Sequence, residues 1–462
     1  MRILLVVYDN SSYSNFFPLN IGYIAAVLVQ AGHQVEIFNQ DTEHHPDALL
    51  TAHLDAHPYD VLGIGVIGGY YQYKKLLTLA QAVNASRNRP FFVLGGHGPT
   101  PDPGHFLQKT RADAVVMGEG EITVVELVRA LEEKTPLSQV KGIAFVENDR
   151  LTITPGRALI ENLDEIPLPA YHLFPMRIYR LVKGPNSRDT DFTIPVLSSR
   201  GCNFTCSFCY RMDKGYRLRA VDAVLEEIRH LQRDYGISYV FFQDELLMSS
   251  MKRTTELCEA ILRQGLQFRW CANGRLNFAR PELLALMKRA GCVFINYGIE
   301  AMDDQVLKRM NKALTTRQIV RGIEATLASG ISPGFNIIFG NPGDSRESLQ
   351  KGVEFLLRYD DHAQCRTIRP VTPYPGSPLY YEAIQRGLLK DCADFYENKH
   401  TNSDLLSVNM TDLSDAEFYD GLYEANLQLL EAYNRHVHAS SLRQLDLLYK
   451  QKDSSFRGFR RI

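Results

Sequence analysis

The chain reads as an α/β protein in which a doubly wound parallel sheet is followed by a partial (β/α)6 barrel and a mostly helical C-terminal segment. Three observations predict this. Apolar, β-rich runs alternate with helical patterns through residues 1–150; a proline-broken stretch over 151–192 interrupts both periodicities; and the alternation restarts with six strand-like runs over residues 193–385. Continuous apolar strands separated by helices belong to parallel sheets covered on both faces.

In order, "RILLVVYD", "HQVEIFN", "VLGIGVIGG", "PFFVLGG" and "DAVVMGEGE" are the strands of the first half, with "IGYIAAVLVQAG" the helix after the first. Ligands of such sheets sit at the carboxyl ends of the strands. Those ends carry Gly65, Gly68, Gly69, Gly95, Gly96, Gly98, Gly118 and Gly120, where backbone can approach a large ligand. For any single one of these glycines a tight strand-to-helix turn is the better explanation, and a nicotinamide or flavin nucleotide is not inferred. "LDEIPLPAYHLFP" then breaks the pattern with three prolines and marks a linker.

Beyond the linker, "TIPVLSS", "YVFFQ", "FRWCA", "VFINYG", "GFNIIFG" and "TIRPVTP" are the six barrel strands. Chemistry belongs at their carboxyl-end loops. A cysteine loop follows the first strand, Asp244 and Glu245 the second, Asn273 and Arg275 the third, Glu300 the fourth, Asn341 the fifth, and Arg369 with Thr372 the sixth. Asp303 reads as a helix cap. Residues 386–462 have the apolar spacing of an amphipathic cap over the barrel, as in "DAEFYDGLYEANLQLLEAYNRH".

Composition narrows the class. The 462 residues, 45% hydrophobic and 23% charged, suit a globular chain of two or three domains. A formal net charge of −2 gives no general attraction to nucleic acid, and the basic tail "SSFRGFRRI" reads as a solvated end. No apolar run approaches the ~18 residues of a membrane span. "MRILLVVYDN" is broken by Asp9, too early for a signal segment. A cytoplasmic setting, reducing enough for free thiols, is expected.

Three of the eight cysteines crowd into "RGCNFTCSFCYR": Cys202, Cys206 and Cys209. A structural zinc site needs a fourth ligand, and His172, His230 and the scattered Cys258, Cys271, Cys292, Cys365 and Cys392 do not offer one at close spacing. Three neighbouring thiols cannot all pair as disulfides. What remains is an iron–sulfur cluster on three thiolates with one iron open to a small ligand, with zinc or plain core thiols as the alternatives.

The CxxxCxxC loop "CNFTCSFC" at the mouth of a six-stranded partial barrel resembles the radical S-adenosylmethionine enzymes, and "TIPVLSSRGCNFTCSFC" the form with an N-terminal cobalamin-binding domain. "PLNIGYIAAVL", "GGHGPTPDP" and "VMGEGEITVVEL" are similar to that Rossmann-like domain; "YGIEAMDD", "IFGNPGDS" and "TPYPGSPLY" are similar to the barrel. The match covers roughly residues 1–385. It departs in lacking DxHxxG, in His97 of the GG loop, and in "GIEAMDD" for the commoner "GIESGS".

The resemblance implies three cofactors. A 4Fe-4S cluster on Cys202, Cys206 and Cys209 would bind S-adenosylmethionine, with Phe208 against adenine, Glu245 or Asp244 accepting from the amino group, and Arg275 and Glu300 reaching carboxylate and ribose. Cobalamin would lie on the first sheet, contacted by Gly65, Tyr70, Gly96, Thr100, Gly118 and Glu119, with Tyr71 also near; without DxHxxG, no histidine is offered in the usual way below the cobalt. The implied activity is methyl transfer to an unactivated carbon or phosphorus centre of a small molecule through methylcobalamin and a 5′-deoxyadenosyl radical, with flavodoxin or ferredoxin as electron donor. Radical cyclisation, oxidation or ring contraction is the alternative, and a non-catalytic corrinoid- or cluster-binding protein the alternative of another class. The absence of cysteine from residues 1–201 sets aside tRNA methylthiolation, which needs a second cysteine set.

Overall fold

The computed structural model describes residues 1–10, 16–212 and 215–455, so residues 456–462 of the basic tail lie outside it. Seven strands form the first sheet: β1 (Arg2–Val7), β2 (Gln34–Asn39), β3 (Val61–Gly65), β4 (Phe91–Gly95), β5 (Ala114–Val116), β6 (Ile143–Glu147) and β7 (Arg150–Ile153). Their order is β2-β1-β3-β4-β5-β6-β7, parallel through β5. β6 and β7 are antiparallel additions joined by Asn148 and Asp149, both at positive φ, as a tight right-twisting hairpin requires. Strand β7 runs across residue 150, so the sheet extends into the segment read as a linker.

That segment is anchored. Its prolines break periodicity, but Tyr171, Phe174, Met176 and Tyr179 are buried in a hydrophobic cluster that runs from the first sheet into the barrel. Phe17 packs on three of them, with centroids 4.9, 4.8 and 5.7 Å from Tyr171, Phe174 and Tyr179.

The second half begins with β8 (Thr193–Val196), followed by a separate antiparallel hairpin of β9 (Ser199–Cys202) and β10 (Gly215–Leu218). Then come β11 (Tyr239–Phe242), β12 (Arg269–Gly274), β13 (Cys292–Glu300), β14 (Ser332–Phe339) and β15 (Arg369–Pro370). The barrel sheet runs β8-β11-β12-β13-β14-β15, parallel throughout, as the six apolar runs predict. Asp303 caps the helix Asp304–Arg309 through the amides of Gln305 and Val306.

The C-terminal segment divides between the domains. Phe418, Leu422, Ala425 and Leu429 of the helix Asp415–Leu445 are buried in the cluster that includes the barrel, with Phe418 stacked on Phe339 at 4.7 Å. Leu389, Cys392, Phe395, Tyr396, Val408 and Met410 instead join Leu62, Ile64 and Leu76 in the core of the first domain. The cap expected over the barrel is therefore, over about residues 389–410, a cover for the first sheet. Amphipathic spacing defines an apolar face, not what it meets.

Candidate active site

The cysteine loop spans the tip of the β9–β10 hairpin. Cys202 ends β9, Cys206 is buried, Cys209 is half-buried, and all are free thiols. Gly201 stands at φ +84, where a Cβ would meet the Gly215 carbonyl at 2.3 Å, so only glycine lets the strands close here. A hydrogen bond from Cys209 holds Cys206 below the usual thiol range against the effect of burial, and Lys312 and Arg275 pull the same way. Burial pushes Cys202 up.

Barrel-mouth residues converge on this loop. The Arg275 guanidinium lies 3.5 Å from the centre of the Phe204 ring, a partner not singled out in the sequence, and donates to the carbonyls of Ala313, at 3.2 Å, and Lys312. Its Nε is buried without a hydrogen-bond partner. Glu300, at φ +69, pairs with Lys312 at 2.8 Å, and the Lys312 ammonium lies 5.7 Å from the Phe208 ring centre. Two buried cations therefore stand beside the thiol loop and favour a thiolate at Cys206, while the hydrogen bond to Cys206 and burial push Cys209 up. Among the described residues, no three of His, Cys, Asp or Glu are grouped to hold a single metal ion. The orphaned Arg275 Nε and the free thiols fit an anionic sulfur-rich cluster and a carboxylate ligand.

Asp244 and Glu245 take different roles. Asp244 is fully buried and accepts from the Ser198 amide at 2.7 Å and the hydroxyls of Ser198 and Ser199 at 2.5 and 2.6 Å. Its carboxylate ties the β8–β9 connection to β11, whereas its neighbour Glu245 is exposed. Asn273 donates to the Asp244 carbonyl at 2.8 Å.

On the first sheet, Gly65, Gly96 and Gly118 lie at the carboxyl ends of the adjacent strands β3, β4 and β5. Gly118, at φ +72, faces open space, as a binding surface requires; a Cβ at Gly96 would meet the Val66 carbonyl at 2.7 Å, so its role is the close approach of two loops. Thr100 spends its hydroxyl on the Gly96 carbonyl at 2.7 Å and so closes its own loop. Tyr70 begins the helix Tyr70–Ala85, its ring 4.4 Å from the Lys74 ammonium and 6.1 Å from the His400 ring; Tyr71 is exposed on the same turn. Gly63, Gly65 and Gly68 have G-x-G-x-x-G spacing, but the helix starts only at Tyr70, past the last glycine, so no helix N-terminus meets a pyrophosphate at the second.

Glu119, expected against a corrin, is instead spent on arginines. It accepts from Arg200 at 2.8 Å, from Arg217 at 2.9 and 3.0 Å, and from the Ile160 amide at 2.8 Å. Burial raises its pKa, but these partners outweigh it and hold the carboxyl below its usual range. His97, at the end of β4, is exposed and lies edge-on to Tyr210, with centroids 6.0 Å apart. The carboxyl ends of β4 and β5 thus face the cysteine loop.

Residues 196–356 match the Radical SAM superfamily and residues 5–128 the B12 binding domain. The chain is 32% identical to an uncharacterized methyltransferase of Pyrococcus horikoshii, over 80% of this chain and 79% of that protein. It is 28% identical to the anaerobic magnesium-protoporphyrin IX monomethyl ester cyclase of Rubrivivax gelatinosus, over 80% of this chain and 66% of the cyclase. The fold is shared with the radical S-adenosylmethionine methyltransferase TsrM from Kitasatospora setae, solved with cobalamin and a 4Fe-4S cluster bound, at TM-score 0.72 and 16% identity over 93% of this chain and 88% of that one.

Proposed function

Because this chain belongs to the radical S-adenosylmethionine superfamily and carries a B12-binding domain, we propose that it is an enzyme that transfers a methyl group to an unactivated carbon or phosphorus centre of a small molecule. The observation that carries this reading is the 32% identity to an uncharacterized methyltransferase across about four fifths of both chains. Its cofactors are a 4Fe-4S cluster, S-adenosylmethionine and cobalamin. When bound, these supply one-electron cleavage of a sulfonium and a metal centre that accepts and passes on a methyl group.

The residues serve that chemistry by holding and orienting. Cys202, Cys206 and Cys209 would hold the cluster and leave one iron open to the amino acid end of S-adenosylmethionine. Glu245 accepts from its amino group, and Arg275, with Nε free and one terminal nitrogen fixed on the Lys312 and Ala313 carbonyls, takes its carboxylate. Glu300, braced by Lys312, reaches the ribose, and Phe208 packs on the adenine. Gly65, Gly118 and Tyr70 would form the corrin's floor, with Gly96 and Thr100 shaping the loop beside it. A flavodoxin- or ferredoxin-type protein delivers electrons in a reducing cytoplasm. All eight cysteines are free, and among the described residues no helix is long and apolar enough to cross a membrane.

Radical cyclisation, oxidation or ring contraction with the same cofactors is the second reading, favoured by the 28% identity to the cyclase. The two part without a known substrate. Reduced, cofactor-loaded protein given methyl-deuterated S-adenosylmethionine alone releases about one equivalent of S-adenosylhomocysteine per bound cobalamin if it is a methyltransferase. Release of none overturns the proposal in favour of the second reading.

A further inference from the structure

We propose that Glu119, gripped by Arg200 and Arg217, is a positioning residue that sets where the cysteine loop stands relative to the corrin-binding sheet. This rests on the two-cofactor reading above. The residues belong to different parts of the chain. Glu119 follows β5 and is the N-cap residue of the helix Gly120–Glu133, yet its side chain makes no capping hydrogen bond to that helix. It reaches across to Arg200 on β9 and Arg217 on β10, which are register partners directly opposite each other on the hairpin that carries the cysteines.

Two arginines facing each other across a hairpin repel unless a carboxylate lies between them. Glu119 supplies it, and Glu121 takes the other arm of Arg200 at 2.5 Å. The cluster is dry, with side-chain exposures of 5% for Glu119, 15% for Arg200 and 14% for Arg217. Tyr23 closes it with its ring centre 5.5 Å from the Arg200 guanidinium, and Arg217 also donates to the Ile160 carbonyl at 2.7 Å. The first domain, the linker and the hairpin therefore meet at one carboxylate.

The hairpin needs such a tie because it is a two-stranded sheet belonging to neither main sheet. Without Glu119 the hairpin keeps Glu121 on Arg200, the Ile160 carbonyl on Arg217, Asp244 on Ser199 and the Leu246 carbonyl on Tyr216, but loses the carboxylate that its two arginines share. The methyl group must pass between a sulfonium held at the cysteine loop and a corrin held on the first sheet, so an error in their separation slows that transfer steeply. Cleavage of S-adenosylmethionine at the cluster needs the loop and the barrel-mouth residues beside it but not the corrin, and is far less sensitive to that separation.

The test uses the full chain loaded with cluster and cobalamin, and the variants E119Q, R217K and, as control, E126Q, which removes from the same helix the carboxylate that pairs with Arg157. Pulsed electron paramagnetic resonance reads the distance between cob(II)alamin and the reduced cluster. Wild type and E126Q should give one narrow distance. E119Q, with unchanged iron and cobalamin, should give a broadened or shifted distribution, release S-adenosylhomocysteine about 10-fold or more slowly, and keep 5′-deoxyadenosine formation within about 2-fold. If E119Q does not accumulate as folded protein, R217K, which keeps the charge and loses the guanidinium fork, should show the same distance change. A wild-type distance distribution in the folded variant, or parallel loss of both products together with iron, overturns the proposal. Should wild type release no S-adenosylhomocysteine, the methyl-transfer reading fails while the distance measurement still decides the role of Glu119.

Discussion

Replacing Gly201 with alanine should cost the protein its cluster without unfolding it. Gly201 sits at φ +84, where an alanine is strained by about 1–2 kcal/mol. Its Cβ would stand 2.3 Å from the Gly215 carbonyl, short of the 3.0 Å that real contacts respect, and overpacking against rigid backbone adds about 1–3 kcal/mol. The combined penalty of about 2–5 kcal/mol falls on a hairpin of four residues per strand, an arrangement marginal on its own, rather than on the six-stranded sheet beside it. The strands part, Cys202 moves away from Cys206 and Cys209, and two thiolates cannot retain the cluster. Iron per chain after anaerobic reconstitution should fall below about half of the wild-type value while the thermal transition of the apoprotein moves little. Gly236→Ala is the control. It stands at φ +72 with nothing within 4 Å, so it carries the backbone strain of about 1 kcal/mol without the collision and should bind iron normally. Full iron and an unchanged cluster spectrum in G201A would refute the reasoning.

Cys206→Ala should abolish both iron binding and reductive formation of 5′-deoxyadenosine; iron unchanged from the ~4 per chain expected of a 4Fe-4S cluster would remove the ligand assignment. His400 is fully buried among Tyr70, Tyr374 and Phe395, both ring nitrogens lack partners, and burial lowers its pKa to about 4. The unfolded chain binds this proton more readily, so the stability it withholds is present above pH 6.5 and lost as pH falls toward 4, by up to about 3 kcal/mol. His400→Phe should flatten that loss in urea melts of the apoprotein between pH 7 and 4; an identical pH dependence would contradict the assignment.

What the sequence made legible follows from range. Parallel strands buried on both faces show as apolar runs such as "RILLVVYD" and "GFNIIFG", and a loop of closely spaced thiols is local by nature. The β6–β7 hairpin escaped because Val146, Leu151 and Ile153 are half-exposed and leave no clean alternation. Asp244 and Glu245 are neighbours in sequence, and only the fold shows that the first faces Ser198 and Ser199 while the second faces outward. The family resemblance puts Glu119 against cobalamin, but its arginine partners stand 81 and 98 residues away in the chain. Tyr396 reaches the Gly68 carbonyl across 328 residues, a contact that amphipathic spacing cannot encode.

The central claim, methyl transfer by a two-cofactor enzyme, is tested most directly by counting products. Reduced, cofactor-loaded protein turning over methyl-deuterated S-adenosylmethionine with a small-molecule extract should consume one molecule at the corrin and one at the cluster per cycle. S-adenosylhomocysteine and 5′-deoxyadenosine should then accumulate in similar amounts, with the deuterated methyl group in a new product. Accumulation of 5′-deoxyadenosine with little S-adenosylhomocysteine, and no deuterium in any product, would contradict it.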